Sequence, residues 1–226
     1  MTIEELNPND LKKFEFLINE SHRGEISYLS NNISEIVANL ANITSQKNAI
    51  VLNSHFGEIS AKLKNIENVI SVEINSNYIE FAKYLNPDLI FINEDPLRYS
   101  VKDKFDLVAS YPILGQKLEI ENSNVLSEIL YIEKALNLLS AQGSAIFILP
   151  SNFLNAQNYN EIRNFIITNF GLSKIVSIPQ EINNQKGFEL SIIEIKKISV
   201  SKTAFYSFNC ARTYAAAPQS RLYRWV

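Results

Sequence analysis

Two acids, one loop and one tripeptide hold most of the chemistry available to this sequence. Glu73 falls within the apolar run 69–75 (VISVEIN), and Asp95 closes the run 89–95 (LIFINED). An acid at the tip of a second strand accepts hydrogen bonds from a ribose diol, and one after a third strand can meet an adenine amine. Both therefore fit an adenosine-containing cofactor. Each also has a plainer role open to it: Glu73 can cap the next helix, and Asp95, standing before Pro96, can start a turn. The loop Asn53-Ser54-His55-Phe56-Gly57-Glu58 follows a first apolar run, and Ser110-Tyr111-Pro112 ends a fourth. His55 is the natural titrating group near neutrality. Cys210 is the single cysteine and has no histidine nearby in sequence, so it reads as an inert thiol. The sequence shows neither metal-ligand spacing nor a phosphate-cradling loop.

These residues have to be held by elements that the periodicity predicts. Residues 9–20 and about 31–43 carry apolar positions at helical spacing. Short, nearly all-apolar strands then alternate with helices. Strands are predicted at 49–53, 69–75, 89–95, 105–112, 144–150, 173–179 and 190–197, and helices at 59–65, 77–85, 127–139 and 161–170. Gly143 suits the C-cap loop after the 127–139 helix. Alternation of this kind implies parallel pairing in a doubly wound α/β sheet, and all-apolar strands imply helices on both faces. In such a sheet ligands bind beyond the carboxyl ends of the strands, where the strand order reverses. Glu73, Asp95, the 53–58 loop and Ser110-Tyr111-Pro112 all lie at such an end or just after it.

Composition bounds the rest. The 226 residues are 46% hydrophobic and 20% charged, enough to bury a core without disulfide staples. With one cysteine, a reducing, cytoplasmic setting is expected. No apolar run approaches the roughly 20 residues of a membrane span, and the N-terminus is polar. Six glycines are under half the usual share. The formal charge of −3 is unevenly spread. Residues 198–226 carry Lys202, Arg212, Arg221 and Arg224 and no acid, while the remainder holds 17 bases against 24 acids. An acidic body of this kind argues against autonomous nucleic-acid binding. The basic tail mixes Tyr, Phe, Arg and Trp225, the residue types enriched where proteins dock.

The order and spacing of these pieces over residues 20–198 resemble the adenine-specific DNA methyltransferases, in particular the modification subunits of type I restriction systems. Gly24-Glu25-Ile26-Ser27-Tyr28-Leu29-Ser30 is similar to that family's G-x-[YF]-x-T-P segment. The 53–59 loop stands where the family has D-P-A-C-G-S-G, and DLVASYPILG (106–115) where it has D-L-V-x-x-N-P-P-[FY]-G. The resemblance implies a class I S-adenosylmethionine-dependent methyltransferase-like, Rossmann-like sheet. It places Tyr28, Asn53, Gly57, Glu73 and Asp95 around S-adenosylmethionine, and Ser110, Tyr111 and Pro112 at the methyl-accepting amine. It also divides the chain into a helical N-terminal extension (1–45), the α/β domain (46–198) and a basic aromatic strand or tail (199–226).

The departures from that pattern carry the functional expectation. Methyl transfer to an exocyclic amine needs a polar acceptor and a proline carbonyl to orient the amine, and an aromatic ring to stack on the flipped base. Here the four positions read Ser110-Tyr111-Pro112-Ile113. In the cofactor loop, Ser54-His55-Phe56 replaces small residues, Asn53 replaces the initial acid, and only Gly57 survives of the glycines. His55 is expected to fill the vacated space. A catalytically impaired chain acting as a structural or interaction module is therefore expected. The alternative is an active adenine methyltransferase whose partner subunit supplies DNA recognition, since no target-recognition domain follows the sheet within these residues.

Overall fold

The structure, a computed structural model, describes residues 29–120, 123–182, 189–197, 204–207 and 221–222, together with Asn9, Lys12, Phe14 and Glu15. Helix α1 (Asn31–Leu40) precedes β1 (Asn48–Leu52), α2 (Glu58–Lys62), β2 (Asn68–Glu73), α3 (Ser76–Leu85), β3 (Ile90–Asn93) and β4 (Phe105–Ser110). A hairpin of β5 (Lys117–Ile120) and β6 (Ser123–Leu126) leads into α4 (Ser127–Leu138) and β7 (Leu139–Pro150). Then come α5 (Asn160–Asn169), β8 (Gly171–Ile178), β9 (Leu190–Lys196), β10 (Ala204–Ser207) and β11 (Arg221–Leu222).

Nine of these strands form one sheet in the order β11-β10-β8-β9-β7-β4-β1-β2-β3. Strand β1 pairs in parallel with β2 on one side and with β4 on the other. The sheet therefore grows outward from β1 in one direction, then in the other, and the switch point lies between the carboxyl ends of β1 and β4. Side chains alternate between two buried faces. Ala49, Val51, Leu107 and Ala109 pack with Ile33 and Val37 of α1 and Ile59 of α2. Ile50, Leu52 and Val108 pack with Ile132 and Ala135 of α4 and Ile162 and Ile166 of α5. Burial on both faces is the physical reason these strands read as unbroken apolar runs.

The structure departs from the periodicity in four places. Helix α1 stops at Leu40, and Asn42 turns left-handed at φ 48° before a short 3-10 turn over Ile43–Ser45. Strand β9 runs antiparallel to both β7 and β8, with a short 3-10 turn over Gln180–Ile182 after β8. The β5–β6 hairpin was not expected; its strands are short and largely exposed, so they carry no core signature. Gly143 lies inside β7 rather than in a loop. Its missing Cβ is what allows the approach of β4, since a Cβ there would stand 2.8 Å from Phe105 O. The pairing of β4 with β7 slips at this point. The expected 9–20 helix falls largely outside the described residues; within it Phe14 is buried, its ring 4.4 Å from that of Phe81 and 5.1 Å from that of Tyr84.

Candidate functional site at the switch point

Three left-handed residues shape the turn after β1: Asn53 (φ 57°), His55 (φ 48°) and Gly57 (φ 80°). Asn and Gly tolerate this region, whereas His seldom enters it. What holds His55 there is a set of contacts to neighbouring strand ends. Its N–H donates to Glu73 Oε2 at 2.9 Å, and its Nε2 stands 3.0 Å from the carbonyl oxygen of Tyr111. Asn53 Nδ2 donates to that same carbonyl at 2.8 Å and lies 3.0 Å from His55 Nε2. With its proton on Nε2 the ring donates to Tyr111 O; with its proton on Nδ1, Nε2 accepts from Asn53 Nδ2. Burial lowers the pKa of His55, with Glu73 and the Tyr111 carbonyl opposing, and the ring is held neutral. His55 Nδ1 has no hydrogen-bond partner among the described residues.

Glu73 is 2% exposed. Its second oxygen accepts from Asn75 N at 2.9 Å, so both oxygens tie down backbone at the edges of the turn. Asp95 is half-buried and does likewise: Oδ1 accepts from Leu97 N at 2.9 Å, and Oδ2 is 3.5 Å from the exposed Arg98. Gly57 precedes α2, and a Cβ on it would meet Phe91 Cζ at 2.9 Å. Phe56 is 1% exposed, with its ring against Tyr78 at 4.9 Å and Phe81 at 5.2 Å. Ser110 and Pro112 are buried, and the Ser110 hydroxyl has no partner among the described residues. Tyr111 is 2% exposed, its side chain in the core cluster that contains Leu29 and Ile33. Ile113 is exposed. Asn53, His55, Glu73, Ser110, Tyr111 and Pro112 thus converge, Gly57 and Asp95 flank them, and Tyr28 lies outside the described residues.

The structure adds residues that the sequence reading passed over. Tyr131 reaches from α4 to place its hydroxyl 3.4 Å from Asn53 Oδ1, and burial together with Glu73 and Asp95 raises its pKa. Glu128, fully buried, accepts from Tyr159 OH at 2.6 Å and from Gly115 N at 3.2 and 3.3 Å. Ser127 Oγ donates to Ile113 O beside it. This pair fastens the loop after Pro112 to the first turn of α4. A signal was present: Glu128 shares its helix face with Tyr131, Ile132 and Ala135, and an acid on an apolar face is an anomaly. Glu58, half-buried at the start of α2, accepts from Leu29 N at 3.2 Å. Desolvation pushes its pKa up to about 7 against its backbone hydrogen bonds, with Glu73 adding repulsion. Among the described residues, no group of three or more His, Cys, Asp or Glu could hold a metal ion, and no helix is long and apolar enough to cross a membrane.

A parallel sheet with a switch point at β1/β4, an acid at the tip of β2 and one antiparallel strand beside β7 define the class I S-adenosylmethionine-dependent methyltransferase fold. A solved structure described as such a methyltransferase, from Listeria monocytogenes, superposes with a TM-score of 0.71 at 16% identity, over 92% of this chain and 75% of that one. The family model of the Eco57I restriction-modification methylase matches residues 9–183, and the chain belongs to that family. A type I restriction-modification methyltransferase subunit from Streptococcus thermophilus aligns at a TM-score of 0.67 and 14% identity, over 80% of this chain and 47% of that one. The Type II methyltransferase M.AccI of Acinetobacter calcoaceticus is 25% identical over 135 residues. That alignment takes in 51% of this chain but only 25% of M.AccI, so the chain spans a fraction of its curated relative.

Proposed function

We propose that this chain is a catalytically inactive member of its family that uses the methyltransferase fold as a structural and interaction module. One observation carries the reading. The Tyr111 carbonyl stands where the resemblance puts the carbonyl that orients the target amine, and it accepts from Asn53 Nδ2 at 2.8 Å with His55 Nε2 3.0 Å away. These internal contacts crowd the oxygen with which the loop would hold an incoming amine.

The cofactor's place is occupied in the same way. As arranged, the residues do not fit S-adenosylmethionine: His55 and Phe56 fill the turn, Gly57 faces the Phe91 ring, and Glu73 is engaged by the backbone. The Tyr111 ring is in the core, and Ile113 offers no π-face to a flipped base. Residues 199–226, basic and aromatic, are the segment we assign to a protein partner, with DNA reached only through such a partner and the chain working in the cytoplasm.

Retention of Glu73 at the tip of β2 and of Pro112 after β4 favours a second reading, an active adenine methyltransferase in which a partner reopens the turn. Calorimetry with S-adenosylhomocysteine, and tritium transfer from S-adenosylmethionine to DNA, separate the two. The first reading expects no heat at about 1 mM ligand and no transfer. Binding at tens of micromolar, which stabilises the fold by mass action, overturns it. Truncation after residue 198, which also removes the edge strands β10 and β11, should release a co-purifying protein while β1 to β9 stay folded if the tail docks that partner.

A further inference from the structure

We propose that Phe14 latches the turn after β1 in its closed form, so that the segment carrying Phe14 controls whether that turn opens. The inference rests on the closed arrangement of the preceding section and adds what holds it shut. Its footing is an aromatic cluster apart from the two that flank the sheet: Phe14, Phe56, Phe81 and Leu85 are buried together, with Tyr78 and Tyr84 packed against them. Phe56 comes from the turn, Phe81 and Leu85 from α3, and Phe14 from upstream of α1. The Phe14 ring is centred 4.4 Å from that of Phe81 and 5.1 Å from that of Tyr84, and Phe81 meets Phe56 edge-on at 5.2 Å. Asn9, Lys12 and Glu15 are exposed, so Phe14 is the anchor among the described residues of its segment.

The turn needs holding. Hydrogen bonds from Asn53 and His55 fix it to the ends of β2 and β4, and burial of Phe56 fixes it to α3. Phe56 stands between His55 at φ 48° and Gly57 at φ 80°. A residue other than glycine seldom enters that region, and such a backbone persists only where its surroundings over-determine it. Burial of Phe56 is one of those constraints, because it pins the residue between the two left-handed ones.

Phe14 supplies one of the four buried side chains of this cluster. Without it, water reaches the rings that it covers, and the burial that holds Phe56 weakens. The effect passes to the turn through Phe81, whose ring neighbours both Phe14 and Phe56. A partner that withdraws Phe14 from α3 therefore opens the turn, and with Phe14 seated the turn stays shut.

Amide hydrogen exchange of the full chain tests it. Three amides report on the turn, each hydrogen-bonded there: Ser54 N to Val72 O at 3.2 Å, His55 N to Glu73 Oε2 at 2.9 Å and Gly57 N to Ser54 O at 2.8 Å. Phe14→Ala should speed their exchange at least about ten-fold. Ile166→Ala is the control, since it empties a buried position in the separate cluster beneath α4 and α5. It should speed exchange in β7 yet leave the three turn amides within about two-fold of wild type. Phe14→Leu, which keeps most of the side-chain volume, serves if alanine unfolds the chain, and should give a smaller rise at the same amides. Equal acceleration of the turn by Phe14→Ala and Ile166→Ala overturns the latch, as does no acceleration in either Phe14 variant. Calorimetry with S-adenosylhomocysteine keeps the two inferences apart. Binding by the wild-type chain overturns the closed arrangement and the latch with it, whereas equal acceleration by the two alanine variants removes only the latch.

Discussion

Asn53→Asp is the substitution that most sharply separates a closed switch point from a working one. In the family pattern this position is an acid, so an enzyme poised for cofactor should accept aspartate readily. In the closed arrangement Asn53 is 3% exposed, and its Nδ2 donates to the Tyr111 carbonyl at 2.8 Å. Aspartate removes that donor, a loss of about 1 kcal/mol. It also leaves a buried carboxylate facing a carbonyl oxygen, near the engaged Glu73, which adds on the order of 2 kcal/mol. The variant should therefore be about 3 kcal/mol less stable than wild type in urea unfolding at neutral pH, with the same m-value. Burial raises the carboxyl pKa of the substituted residue above its unfolded value, so the deficit belongs to the ionised form. It should shrink as pH falls through that raised value toward about pH 4. A deficit below about 1 kcal/mol at neutral pH, or one indifferent to pH, refutes the account of Asn53 as the donor that closes the site.

Glu58→Gln tests the group that titrates near neutrality. The native carboxyl, pushed up to about 7 from 4.5, binds its proton more tightly when folded, so wild-type stability falls as pH rises between those values. Because the residue is half-buried, we expect on the order of 2 kcal/mol, recovered by glutamine at about pH 8 and absent at about pH 4; parallel pH profiles of the two proteins would contradict it. Gly57→Ala should cost about 2 kcal/mol, from φ 80° and from a Cβ 2.9 Å from Phe91 Cζ. A second change, Phe91→Leu, should relieve the clash but not the backbone strain, which a double-mutant cycle reads. Phe14→Ala empties a buried position against Phe81 and Tyr84. It should lower stability by about 3 kcal/mol, and a loss under about 1 kcal/mol would mean the ring is not part of the core.

Much of the fold was legible because burial leaves its mark on composition. The four residues 49–52 are all fully buried, and a strand covered on both faces must be apolar throughout. Amphipathic helices between such strands implied parallel crossovers, and the acids at strand tips located the end of the sheet where ligands bind. The β5–β6 hairpin left no such mark, since exposed residues are under no pressure to alternate. The antiparallel entry of β9 also escaped the sequence reading, as an all-apolar strand reads the same in either direction. Gly143 was misplaced because a glycine's sequence neighbours do not reveal whether another strand passes over it.

For the site, the sequence by itself determined which residue types stand where the resemblance puts the motifs: asparagine for an acid, bulky residues for glycines, isoleucine for an aromatic. Side-chain type alone fixes whether a donor, a π-face or room exists at a position. What the vacated positions became was decided only by the tertiary structure. The turn after β1 brings His55 and Asn53 to the Tyr111 carbonyl, 58 residues from Asn53 along the chain, and lays Glu73 beneath the His55 amide. Hydrogen bonds of that kind depend on angles and on separations of about 3 Å. Residue types constrain those only once the strands from which they hang are in register.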